Sequence, residues 1–165
     1  MMNGKVFDTD DEPEYAHQDD VRSGSVTCRT VVALLEEEVP LPVMTDLRYD
    51  RADPYSVFMA FNGGARADSV IEWEFARDLL AAGRRRLAGL GDVQVWPAEI
   101  RGHRLVYMSF RSGWEMFVVA ASAAVVDDFL HSAFEVVPPG EEGSRLDIED
   151  LVGRSPDGTA LESFD

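Results

Sequence analysis

Ser69-Val-Ile-Glu-Trp-Glu-Phe-Ala-Arg-Asp-Leu-Leu80 is the stretch in which the hydrophobic period changes. From Ser69 to Phe75 the pattern alternates: Ile71, Trp73 and Phe75 fall on one side, Val70, Glu72 and Glu74 on the other. Such alternation predicts a strand with one apolar and one mostly wetted face. From Ala76 the spacing becomes helical, with Ala76, Leu79 and Leu80 on one stripe up to Gly83. A glycine there predicts a left-handed helix end. The strand is thus expected to run directly into a helix of about two turns, too short to persist without packing.

Toward the N-terminus, Tyr55, Val57, Met59 and Phe61 alternate as another strand, and Asn62-Gly63-Gly64 joins the two as a hairpin. Leu47–Tyr55 reads as a bridge, with a turn at Asp53-Pro54. Ser25 to about Glu37 is rich in β-branched residues and reads as a long strand, stopped by Glu36-Glu37-Glu38, Pro40 and Pro42. Toward the C-terminus, Gly91–Pro97, Leu105–Phe110 and Trp114–Ala120 read as an antiparallel meander turned at Gly102 and Ser112-Gly113. Ser122 is placed to cap a helix carrying Val125, Val126, Phe129, Leu130, Ala133, Phe134 and Val137, and Pro138-Pro139-Gly140 ends it. These elements predict an α+β fold: a mainly antiparallel sheet of about six strands with a short central helix and a C-terminal helix on one face. Several strands are apolar on both faces, so the second face needs a cover, which self-association would supply.

The 165 residues fit one domain with tails, and the net charge of −16 is unevenly distributed. Residues 76–111 carry seven arginines against three acids, whereas both ends are acidic. Residues 1–24 hold seven acids and few apolar groups and are read as a disordered tail. Residues 25–140 form the domain, and 141–165 a second acidic tail with Leu146, Ile148 and Leu151 as its apolar anchors. A field of this sign repels nucleic acid and anionic lipid and favours basic partners. One cysteine, Cys28, excludes an intramolecular disulfide and a thiolate zinc site. Neither a secretory signal nor a membrane-spanning apolar run is seen, which predicts a cytoplasmic protein without membrane insertion.

Little in the chain suggests chemistry. Residues 8–11 resemble the start of a calcium loop but lack the glycine and closing glutamate such a loop needs. His17, His103 and His131 have no metal-ligand spacing, so no metal or cofactor is expected. Glu72 and Glu74 stand about 6.5–7 Å apart along one strand face, a distance that overlaps glycosidase carboxylate pairs. Two acids on a wetted strand are commonplace, however, and no cleft residues surround them. Arg84-Arg85-Arg86 just past a helix C-terminus is read as complementing the helix dipole or contacting protein, since three arginines in a chain of net charge −16 are weak grounds for nucleic-acid binding. Trp73, Trp96 and Trp114 could stack bases, but each falls in a strand pattern where core packing is the default.

Three ordered motifs point further. Leu47-Arg48-Tyr49-Asp50 with Asp53-Pro54-Tyr55 is the first, and Glu72-Trp73, Phe75-Ala76-Arg77-Asp78-Leu79-Leu80 the second. Gly91-Asp92-Val93, Val95-Trp96-Pro97 is the third. In this order and spacing, over about residues 25–140, the chain resembles the SsgA-like proteins of actinomycetes, regulators of sporulation-specific cell division. The resemblance implies a whirly-type curved antiparallel sheet, a trimer, no catalytic residues, and action at division septa. There some members recruit the tubulin-like protein FtsZ, so FtsZ or related SsgA-like proteins are the implied partners. The acidic tails lie outside the family core, Glu74 occupies a varying motif position, and the role of each motif residue stays open. The competing reading is a single-stranded nucleic-acid binder using Arg84–Arg86, Arg101 and Arg104.

Overall fold

The computed structural model describes residues 16–20, 24–35, 38–62 and 70–143. Eight antiparallel strands and two helices follow in the order β1 (Ala16–Asp20), β2 (Ser25–Leu34), β3 (Leu41–Asp50), β4 (Ser56–Asn62), β5 (Val70–Ala76), α1 (Arg77–Gly83), β6 (Val93–Ile100), β7 (His103–Ser112), β8 (Glu115–Ser122) and α2 (Ala123–Val136). The spatial order is β5-β4-β3-β2-β8-β7-β6, with β1 added on β2. β2 shares one edge between two neighbours: Ser25–Arg29 pair with β1, while Ala33 and Leu34 pair with β8.

The sheet curves until its two arms touch. Phe61 of β4 and Trp73 and Phe75 of β5 meet Phe110 of β7 and Phe117 of β8, with Phe61–Phe110 centroids 5.4 Å apart and Trp73–Phe110 5.2 Å apart. Two strands, β3 and β2, separate those arms from β8 in the sheet, so only strong curvature allows the contact. Edge-to-face pairs contribute about 0.5–1.5 kcal/mol each beyond their burial. Val26, Cys28, Leu47, Met59, Val95, Met108 and Val119 complete the inner face. α2 fills the concavity with Val126, Phe129, Leu130 and Ala133, all fully buried.

The α+β architecture, the direct passage from β5 into α1 and the β6–β8 meander agree with the sequence reading. Two strands differ from it. Leu41–Asp50 is a ten-residue strand in the middle of the sheet, and its Leu47–Asp50 end takes up the first half of the bridge expected over Leu47–Tyr55. Its Pro42 is tolerated because β4 pairs only with Met44–Arg48, leaving that side of Pro42 without a β4 partner. Ala16–Asp20, assigned to a disordered tail, forms a strand on β2, where backbone pairing offsets its low apolar content. Residues 1–15, including the acidic stretch 8–11, and residues 144–165 lie outside the described residues, as does the hairpin loop 63–69.

Gly83 is also used differently from the expectation. Its φ is not left-handed, and Arg84 continues in right-handed helical geometry. A Cβ there would overlap the Val95 side chain of β6, so the glycine permits close approach of α1 to the sheet. Ser122 occupies the N-cap of α2 without a side-chain capping bond. Replacing Gly83 by alanine gains about 1 kcal/mol of helix propensity, but overpacking costs about 1–3 kcal/mol. Urea unfolding of Gly83→Ala is expected to show net destabilisation; a raised midpoint would contradict the close approach.

Candidate functional site

The first two motifs converge on Arg77. This residue opens α1, and its amide donates to the Tyr55 carbonyl at 2.8 Å. Its guanidinium is 1% exposed and runs beneath α2. Nη1 donates to the Tyr49 hydroxyl at 2.9 Å, the Val137 carbonyl at 2.7 Å and the Ala133 carbonyl at 3.3 Å. Nη2 donates to Glu142 Oε1 at 2.6 Å. The rings of Tyr49 and Phe134 lie 5.0 and 4.7 Å from the guanidinium carbon. Tyr49 in turn donates to the Pro54 carbonyl at 3.0 Å. Ala133 and Val137 belong to the last turn of α2 and its cap; the Ala133 carbonyl also accepts from the Val137 amide at 3.1 Å, and a cation at this end complements the helix dipole.

A buried charge is tolerated only when paired and hydrogen-bonded. Here one guanidinium meets a carboxylate, a hydroxyl, two carbonyls and two aromatic rings; only Nε lacks a partner. Glu142, just beyond the boundary expected at residue 140, belongs to this unit, and its Oε2 accepts from the Gly140 amide at 2.9 Å. Its own backbone amide, and then Arg77, hold its carboxyl below the ordinary carboxylate range against the opposing effect of burial.

Leu47, Phe75 and Leu80 of the same motifs are buried around this knot, whereas Arg48, Asp50, Asp53, Glu72 and Asp78 are not fully buried. Arg48 is ion-paired with Glu72, and Ser56 Oγ donates to Glu74 at 2.9 Å. Arg29 binds Asp46 at 2.8 Å, and Asn62 donates to Asp46 at 3.1 Å. These pairs tie β2 through β5 across the outer face. The shallow depression beside Glu72 is lined by Arg48 and Phe58 but not by Glu74, and both carboxylates lie exposed on the outer face, each held by its own polar partner.

The third motif stands apart, on edge strand β6. Val93 and Val95 are buried, and the Asp92 carbonyl accepts from the Arg111 amide at 2.9 Å. Trp96 faces outward, edge-on to Tyr107 with centroids 5.8 Å apart. Core packing therefore describes Trp73 but not Trp96, and Trp114 is fully exposed at the β7–β8 turn. Arg84 is bound to Asp127 of α2 at 2.9 Å, which removes one member of the arginine triplet from external binding. Among the described residues no group of three His, Cys, Asp or Glu side chains could hold a metal, and no helix is long and apolar enough to cross a membrane.

Sequence reading singled out Arg77 and Tyr49 but missed Glu142, whose signal was faint: an acid just past a proline stop.

A family model described as "Streptomyces sporulation and cell division protein, SsgA" matches residues 43–142. The sporulation-specific cell division protein SsgB of Streptomyces coelicolor is 40% identical over 126 residues, covering 76% of this chain and 90% of that protein. Its namesake from Thermobifida fusca is 36% identical over 126 residues, again 76% and 90%. In three dimensions the fold matches an SsgB structure from a study of longitudinal cell division during sporulation of Streptomyces coelicolor, with TM-score 0.69 and 40% identity over 73% of this chain and 94% of the other. It also matches the SsgA-like sporulation-specific cell division protein of Thermobifida fusca, with TM-score 0.72 and 35% identity over 78% and 93%.

Removing one partner of a buried ion pair typically costs about 3–5 kcal/mol. Arg77→Met is expected to lose an amount of this order in urea unfolding, whereas Lys at 77 rescues only part, lacking the planar fork. Because Glu142's folded-state carboxyl titrates below the unfolded one, its contribution is present above the ordinary carboxylate range and is lost as pH falls through the lower folded value. Glu142→Gln is therefore expected to be less stable than wild type near neutrality, with the difference shrinking below about pH 4. A pH-independent difference would contradict the pairing.

Proposed function

Because the chain belongs to the SsgA family of sporulation and cell-division proteins, we propose that it serves sporulation-specific cell division as a non-enzymatic adaptor presenting surfaces to other septal proteins. Family membership over most of the chain carries this reading. Its partners are proteins of the division or cell-wall machinery, with FtsZ or another SsgA-like protein the first to test. The site of action is the cytoplasmic side of the division septum. The motif residues serve this role indirectly, by fixing the shape on which the docking surfaces sit.

Self-association, as a trimer, is part of the proposal. It is supported by an outward row running across the register Val31, Met44, Asn62 and Val70, in which the three apolar members are 40%, 43% and 60% exposed. A strand face of this kind gains by being covered. The acidic surface argues against a nucleic-acid role, although fold alone would permit one.

In a sporulating actinomycete a fluorescent fusion is expected to concentrate at nascent septa, and deletion to disturb septation; diffuse signal with normal septation would overturn the role. Light scattering of Val31→Lys/Met44→Lys is expected to show a lower mass than the wild-type oligomer at unchanged circular dichroism. An unchanged mass would remove the outer row from the interface.

A further inference from the structure

The arginines left over from folding gather beside β6. Arg84 is bound to Asp127, which Arg104 also approaches at 3.9 Å. Glu99 is the register partner of Arg104 across the β6–β7 pair. Arg85, Arg86 and Arg101 are exposed, and their side chains have no partner among the described residues. Arg86 lines a shallow groove of about 490 Å³ with Leu87, Gln94, Trp96 and Pro97. Leu87, and Leu90 three residues further along the chain, stand open to solvent.

Two backbone features indicate that this groove is kept for contact. Among the described residues the edge of β6 is covered only at Val95, by a bridge to Ala88, with N–O distances of 2.8 and 2.9 Å in the two directions. Beyond it, at Pro97–Ile100, the edge opposite β7 has no strand partner among the described residues. The two-residue turn after β6 places Arg101 at φ 52° and Gly102 at φ 81°. Consecutive left-handed residues suit Asn-Gly, not an arginine, and a non-glycine residue there costs about 1–2 kcal/mol. That cost is borne just past Ile100, at the end of the same β6 edge that leaves the groove at Pro97, and it is the pattern expected where side-chain chemistry outweighs local propensity.

A groove with an apolar floor and unpaired cations selects a segment that mixes acids with large apolar residues. Within this chain the sequence Leu146-Asp-Ile-Glu-Asp-Leu-Val152 has that composition, with apolar and acidic residues alternating at its start. The described chain ends at Gly143, beside Tyr55 at the Arg77 end of α1, and α1 spans seven residues, about 10 Å at 1.5 Å per residue. The residues between Gly143 and Ile148 can cover a distance of this order and more, at about 3.3 Å each when extended.

We propose that Leu146–Val152 docks in its own chain's β6 groove, its apolar side chains against Leu87 and Trp96 and its carboxylates facing Arg86 and Arg101. Docked this way, the C-terminal segment withholds from other molecules a basic, apolar surface of an acidic protein. An external partner of the same acidic and apolar chemistry has to displace it. The proposal stands apart from the division role, since it concerns an intrachain contact that can be measured on the purified protein.

Hydrogen exchange on the full-length protein tests it. Amides of 146–152 are expected to exchange about tenfold slower than their free-chain rate. Protection should fall toward that rate in Arg86→Glu/Arg101→Glu, in Ile148→Asp/Leu151→Asp and at about 0.5 M salt, where surface attraction is screened. Exchange within α2 should stay unchanged in both variants, which separates docking from folding. Free-chain rates in the wild type, or protection indifferent to both variants, would overturn the proposal. Protection that rises with protein concentration would also overturn it, by placing the segment on a second copy. Single-stranded oligonucleotide that binds the wild type at physiological salt and depends on Arg86 would do the same, by assigning the groove to nucleic acid.

Discussion

A guanidinium sealed beneath a helix is the constraint around which this fold is arranged. Left unpaired, a charge in that position would cost several kcal/mol. The structure surrounds Arg77 with the Tyr49 hydroxyl, two carbonyls at the C-terminal end of α2 and the Glu142 carboxylate. Each partner comes from a different part of the chain: β3, the end of α2, and the segment after the Pro138-Pro139 stop. Satisfying one cation therefore fixes how α1, α2 and the middle of the sheet meet. Apolar packing alone could tolerate several arrangements of those helices; a fork that must reach all its acceptors tolerates few.

The rest of the architecture follows from where the sheet can bend. β2 changes partners along its length, and the aromatic residues of β4 and β5 reach across to those of β7 and β8. The inner face then belongs to α2. The outer face is left with a lattice of ion pairs around Asp46 and Glu72, an exposed apolar row, and a basic edge at β6. The inside is thus apolar packing around one buried guanidinium, and the outside is patterned in separate patches.

Much of this was readable from the residues. The change of period at Ala76 marked the β5–α1 junction, and alternation in Val57–Phe61 and Leu105–Phe110 marked both strands. What stayed hidden depended on distance in sequence. β3 carries arginine, aspartate and proline, and becomes a strand because it lies between β2 and β4, so its local pattern is overridden by two neighbours. Gly83 looked like a helix cap because nothing local reveals Val95 pressed against it. Arg77 was marked only through the family motif, and its partner Glu142 lies 65 residues away, beyond any periodicity. The third motif was legible as a strand, yet the outward aim of Trp96 became visible only with the β6–β7 register.

The claim that one buried cation links these parts is tested most directly by a double-mutant cycle between Tyr49→Phe and Glu142→Gln, two residues that both contact Arg77. If both act through the same guanidinium, their stability effects should depart from additivity by about 0.5 kcal/mol or more, within the range found for residues sharing a network. Effects that sum to within about 0.3 kcal/mol would mean that the hydroxyl and the carboxylate act separately, and the account of a single organising charge would be wrong.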